Sequence, residues 1–240
     1  MRTHKTYVLV HGAWHGGWCW RRVSPLLMQH GHRVFSPTHT GLGERAHLMT
    51  REVGIETFVQ DVIGLIDMEE LENIILVGHS FGGNVITCVA DRMPHRIAHM
   101  VYLDAAVPTN GQNALAPLPK AVADERIRLS RQFSGGITMP IPSTEVFAVT
   151  EPADVAWLQA HLRPHPLKAY TDPIRFEHPA GNGRPVTYIA CTDPEYPLLA
   201  SSRDYAKKQA GWTYEEIGCG HDAMVLAPER LAELLLAIDG

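Results

Sequence analysis

The chain has 240 residues, 45% of them hydrophobic and 20% charged, a balance that supports a sizeable buried core and excludes disordered and fibre-forming classes. Its net charge of −5 comes with no Lys/Arg stripe able to grip phosphates, so nucleic acid is not an expected partner. No run approaches the roughly 18 apolar residues of a membrane helix, and residues 1–6 carry no apolar signal segment, so no membrane association is expected and the cytoplasm is the expected compartment.

Strand and helix patterns alternate through the first 105 residues. Residues 7–10 form a short apolar run that stops at His11-Gly12, which predicts a buried strand ending in a turn. Residues 20–30 follow as a helix, with Val23, Leu26 and Leu27 at helical spacing and Gly31 just beyond. A strand is expected at 33–36, stopped by Pro37. Ile55, Phe58, Val59, Val62, Ile63 and Ile66 then recur with the period of an amphipathic helix. The continuous apolar run 73–77 reads as a strand covered on both faces, followed by a helix from about 83 to 92 and a strand at 97–103. Between Val107 and Pro185, which holds 11 of the 17 prolines, the alternation fails, although helical pieces are expected at 120–131 and 152–161. It resumes with a strand at 186–191, a helix near 201–210, a strand at 213–217 and a helix at 228–238. The expectation is an α/β fold of about six mostly parallel strands joined by right-handed crossovers. Residues 1–106 and 185–240 would form its core, and 107–184 a cap inserted above the strands' C-terminal ends, where ligands bind in such sheets.

Cys19, Cys88, Cys191 and Cys219 are widely spaced and read as small buried residues, neither a zinc set nor a disulfide frame. The 14 histidines invite a metal site, and His161 and His165 have helical i,i+4 spacing, but Pro164 and Pro166 prevent the helix that would point both at one ion. No metal is expected.

The chemistry concentrates in four places. Gly78-His79-Ser80-Phe81-Gly82-Gly83 directly follows an apolar strand and precedes a helix, the context of a nucleophile elbow. Such a turn needs small residues two before and two after the serine, hence Gly78 and Gly82, and holds Ser80 above the sheet at a helix N-terminus that favours negative charge. His11-Gly12-Ala13-Trp14 follows the first strand, and the N–H groups of Ala13 and Phe81 are the expected oxyanion donors. Trp18 and Trp20 are assigned to the core. Gly218-Cys219-Gly220-His221-Asp222 places His221 on a loop after the last strand, as the expected base, while His79 should point away from substrate. Asp193, just past the strand 186–191, is chosen as the acid that fixes the imidazole tautomer. Glu195 and Asp104 remain its rivals, and Asp104 could equally be a structural carboxylate.

The segments Val8-Leu9-Val10-His11-Gly12-Ala13-Trp14-His15-Gly16-Gly17-Trp18, Ile75-Leu76-Val77-Gly78-His79-Ser80-Phe81-Gly82-Gly83, Val101-Tyr102-Leu103-Asp104-Ala105 and Gly218-Cys219-Gly220-His221-Asp222-Ala223-Met224 make the chain resemble an α/β-hydrolase. It is most similar to the branch of plant methylesterases and hydroxynitrile lyases and to small bacterial pyrethroid and carbendazim hydrolases. The resemblance implies a cofactor-free Ser-His-Asp hydrolase, often a homodimer. One residue departs from the lyases, which carry a lysine directly after the catalytic histidine. Asp222 stands there, and a carboxylate cannot stabilise a leaving cyanide. The expected activity is hydrolysis of carboxylic esters, and of carbamates by the same acyl chemistry, through an acyl-enzyme on Ser80. The expected substrates are small to medium apolar or aromatic molecules held by Trp14, Phe133, Met139, Phe147 and Trp157. A hydroxynitrile lyase and a ligand-binding receptor that retains the triad are the alternatives.

Overall fold

A computed structural model describes residues 4–238. Its centre is a six-stranded sheet, β1 (Thr6–Val10), β2 (Arg33–Phe35), β3 (Ile74–His79), β4 (Ile97–Leu103), β7 (Val186–Cys191) and β8 (Trp212–Ile217). The order is β2-β1-β3-β4-β7-β8, and every pairing is parallel. All six residues of β3 and of β7 are buried, as expected of strands covered on both faces by crossover helices. β3 runs two residues beyond the expected strand and carries Gly78 and His79 into the sheet itself.

Helix α2 (Ile55–Met68) buries Ile55, Phe58, Val59, Val62 and Ile66, the predicted stripe. Helix α3 (Gly82–Arg92) is buried from Gly82 through Ala90. Around the sheet also lie α1 (Ser24–Gln29), α7 (Ala200–Lys207), α8 (Ala223–Leu226) and α9 (Pro228–Leu236). The helix expected at 20–30 is divided into a 3-10 turn, Gly17–Arg22, and α1. Pro25 explains the division, because it has no N–H to continue an α-helical ladder yet suits a first turn. Trp20 is fully buried as expected, whereas Trp18 is only partly so.

The proline-rich segment between β4 and β7 holds α4 (Lys120–Ser134), β5 (Thr138–Met139), α5 (Pro152–His161), β6 (His165–Pro166) and α6 (Leu167–Thr171), with β5 and β6 paired antiparallel. All four cysteines are buried and free. Among the described residues no helix is long and apolar enough to cross a membrane.

Candidate active site

Three strand ends deliver three side chains to one point. Ser80 sits between β3 and α3 with φ +54°, a left-handed conformation that a non-glycine residue adopts at a cost and that functional turns often store. Its backbone is held on both sides: the Ser80 N–H donates to the Leu103 carbonyl at 3.2 Å, and the Ala106 N–H donates to the Ser80 carbonyl at 3.0 Å. Neighbouring chain passes close to this turn. A Cβ at Gly78 would come within 2.9 Å of the Gly82 carbonyl oxygen, and one at Gly82 within 2.9 Å of the His11 carbonyl oxygen. A Cβ at Gly83 would overlap the Ala106 carbonyl outright. The small residues of the motif are therefore a packing requirement.

His221, on the loop between β8 and α8, lies with Nε2 2.8 Å from Ser80 Oγ. Its Nδ1 lies 2.6 Å from Asp104 Oδ2. In the tautomer this pairing favours, Nδ1–H donates to the carboxylate and Nε2 accepts from the hydroxyl. The expected acid, Asp193, is not the partner. Its side chain is exposed at the end of β7, and its backbone N–H donates to the Cys219 carbonyl. Glu195 is likewise exposed and pairs with Arg203 at 3.3 Å. Asp104, at the end of β4, is fully buried between His221 and Arg203, whose guanidinium lies 3.2 Å from its other oxygen. The difference is one strand: His221 leans across β7 to reach the end of β4.

Of the two expected oxyanion donors, Phe81 directly follows Ser80, and Ala13 follows Gly12, where an added Cβ would come within 2.8 Å of the Ser80 Cβ. Neither the Ala13 N–H nor the Phe81 N–H finds a backbone acceptor among the described residues, and both residues are buried. The Ala13 loop is braced by histidines that sequence reasoning left unassigned. His15 Nδ1–H donates to the Ala13 carbonyl at 2.8 Å, and its Nε2–H donates to Asp222 at 3.0 Å. Burial pulls His15 down, but the charge and hydrogen bond of Asp222 outweigh it and leave the imidazole raised above its ordinary value. Burial pushes Asp222 up, and its histidine neighbours, His15 foremost, bring it below the usual carboxylate value. The Trp14 N–H donates to His165 Nδ1 at 3.2 Å, while the His39 N–H donates to His11 Nε2 at 3.1 Å. Burial drives His11 down to about 3 and His165 well below its ordinary value, keeping both nitrogens available as acceptors.

His79 turns away from the cavity, as expected, and its Nε2–H donates to the His221 carbonyl at 3.0 Å. Asp222 is buried behind the triad rather than facing substrate. His79, His221 and Asp222 present nitrogen and oxygen atoms within 4.8 Å of one another. Of these, His221 commits both ring nitrogens to Ser80 and Asp104, so the set works as a hydrogen-bond network. His161 and His165 go to different partners, the Trp157 carbonyl and the Trp14 N–H.

A cavity opens above Ser80 and His221, with Trp14, Phe81, Leu118, Phe147, Tyr170, Ile174, Tyr196 and Leu198 among its walls. Trp14 and Phe147, two of the residues expected to hold substrate, lie in this wall. Three other expected contacts lie elsewhere. Phe133 is 56% exposed near the end of α4. Met139 is buried in the small sheet opposite His165. Trp157 packs edge-on against Trp18 at 5.2 Å under the guanidinium of Arg22. The wall also contains Leu118, Tyr170 and Ile174 from the segment between β4 and β7, and Tyr196, whose ring stacks on His221 at 4.3 Å. No periodicity marks these residues, because they meet only through the path of the loops.

Residues 7–234 match the model of the Alpha/beta hydrolase family. The carbendazim hydrolyzing esterase of Nocardioides sp. (strain SG-4G) is 44% identical, with 97% of this chain and 98% of that protein aligned. Salicylic acid-binding protein 2 of Nicotiana tabacum is 30% identical over 99% of this chain and 98% of its own. Among solved structures, an extracellular alpha/beta-hydrolase from a Paenibacillus species superposes with a TM-score of 0.81 at 26% identity, covering 97% of this chain and 98% of that one.

Proposed function

The chain belongs to the alpha/beta hydrolase family, and from that premise we propose that Ser80, His221 and Asp104 form the catalytic triad of its esterase activity. The protein is a hydrolase of the esterase type. The observation that carries the residue assignment is the 2.8 Å contact of Ser80 Oγ with His221 Nε2, continued at 2.6 Å to Asp104. Ser80 Oγ attacks the ester carbonyl as its proton passes to His221 Nε2. Asp104 holds the ring and stabilises the imidazolium. The oxyanion forms against the Ala13 and Phe81 N–H groups, each such donor contributing about 2.7–4 kcal/mol to the transition state. His221 then gives its proton to the leaving alcohol, and the acyl group remains on Ser80. A water attacks that acyl-enzyme with His221 again as base, and the carboxylic acid leaves. Residues 107–184 serve as the cap that shapes the acyl and alcohol sites. The resemblance to a carbendazim hydrolyzing esterase supports extending the substrate range to carbamates, which the same acyl transfer accommodates.

Hydrolysis of p-nitrophenyl acetate and butyrate by wild type and Ser80→Ala at pH 7–8 tests the assignment. The expected loss of kcat is on the order of 10⁶-fold. Turnover surviving in Ser80→Ala overturns it.

A further inference from the structure

The cavity above Ser80 contains one feature that hydrolysis of an apolar ester does not use. Arg126, on the inner side of α4, is half-buried in the cavity wall. Its guanidinium lies 4.9 Å from the centre of the Tyr170 ring and 5.7 Å from that of Trp14. Among the described residues it forms no ion pair with any Asp or Glu, whereas the neighbouring Arg128 on the same helix pairs with Glu125. Among the described residues the cavity wall contains no acidic side chain, and Arg126 is its only Lys or Arg. Burial pushes the Tyr170 and Tyr196 hydroxyls up, Tyr196 to about 12, and the charge of Arg126 together with its hydrogen bonds to both hydroxyls partly offsets that push.

A partly desolvated cation without a counter-ion is costly, and the low-dielectric walls around it strengthen its attraction for an incoming anion. The aromatic rings and the two tyrosine hydroxyls hold the planar guanidinium in place, and its remaining N–H donors are left to recognise a carboxylate. Resting on the esterase reading of the same site, we propose that Arg126 is an anion subsite, and that the preferred substrates are esters bearing a carboxylate on the part of the molecule remote from the scissile bond. The apolar walls accept the connecting chain, Ser80 and the oxyanion donors engage the ester, and Arg126 sets the register between them.

The test compares esters in which a carboxylate replaces a terminal methyl: monoethyl adipate against ethyl hexanoate, monoethyl suberate against ethyl octanoate, and 6-acetoxyhexanoate against hexyl acetate. In wild type, at least one anionic ester is expected to exceed its neutral counterpart in kcat/KM. In Arg126→Gln that ratio is expected to fall at least about tenfold, and Arg126→Glu should drive it below one. Arg126→Lys keeps the charge without the fork and should give an intermediate ratio. A wild-type ratio below one for all three pairs, or a ratio unchanged in both Arg126→Gln and Arg126→Glu, overturns the subsite and makes Arg126 a clamp between α4 and the aromatic wall. Wild-type ratios need no variant to fold. Failure of the esterase reading is separate, since it would appear as neutral and anionic esters both turned over by Ser80→Ala.

Discussion

An imidazole that gains and loses a proton in each half of an acyl-transfer cycle must be fixed in one tautomer, and the carboxylate behind it does that work. Here two aspartates follow adjacent strands, Asp104 after β4 and Asp193 after β7. Only Asp104 is buried and within 2.6 Å of His221. Asp104→Asn is accordingly expected to lower kcat by roughly 10⁴-fold while the fold survives, and Asp193→Asn to leave it within about twofold. Parallel kinetics of the two variants decide between them, and the reverse pattern would return the role to Asp193. Ser80 and His221 were legible in the sequence because each sits in a local pattern, a glycine-bracketed serine between strand and helix and a glycine-flanked histidine after the last strand. The aspartate that pairs with His221 was not, because both aspartates end strands equally well. What separates them is the burial of one beside Arg203, a contact between residues 99 positions apart.

β3 and α3 meet at the Ser80 turn with no space for an added methyl. Gly83 is the tightest position, facing the Ala106 carbonyl in the segment after β4. Gly83→Ala is expected to destabilise by about 1–3 kcal/mol or more, the range for overpacking a site that backbone lines, read as a lower midpoint of urea unfolding. Gly64→Ala, where a Cβ meets nothing within 4 Å, should be neutral or slightly stabilising in the same measurement, because alanine is the better helix former. The insertion was harder to read. Two of its helices were expected, at 120–131 and 152–161, but not α6 (Leu167–Thr171), nor which residues of α4 line the cavity. Arg126 and Phe133 share one stripe of α4, seven residues and about 10 Å apart along the axis. The nearer one enters the cavity wall while the aromatic one projects into solvent. Hydrophobicity alone pointed to the wrong end of the helix.

Across the molecule, buried histidines set the response to acid. His11, His39, His79 and His165 are all buried, and burial holds each below its ordinary value, His11 at about 3. An unfolded chain protonates these side chains near pH 6.5, so below that pH the unfolded state takes up protons the folded state refuses. Each refused proton costs about 1.4 kcal/mol of stability per pH unit. His15 works in the opposite sense: its raised pKa gives stability that is complete below about pH 6.5 and lost as pH rises through its folded value. Asp222, held low, contributes above its unfolded value and is lost only as pH falls through the folded one. Four histidines outweigh one, so Tm is expected to drop on going from pH 6.5 to pH 5. Thermal unfolding at pH 8, 6.5 and 5 checks this, and a Tm that rises on acidification would contradict it. The alternation of strands and helices and the placement of Ser80 and His221 are short-range properties, written in spacing and in glycines that only one kind of turn requires, and so are readable residue by residue. The pairing of His221 with Asp104, the histidines around the Ala13 loop and the cavity wall depend on which strand ends and loops become neighbours. That is settled by burial and hydrogen bonding between distant parts of the chain, to which local pattern carries no key.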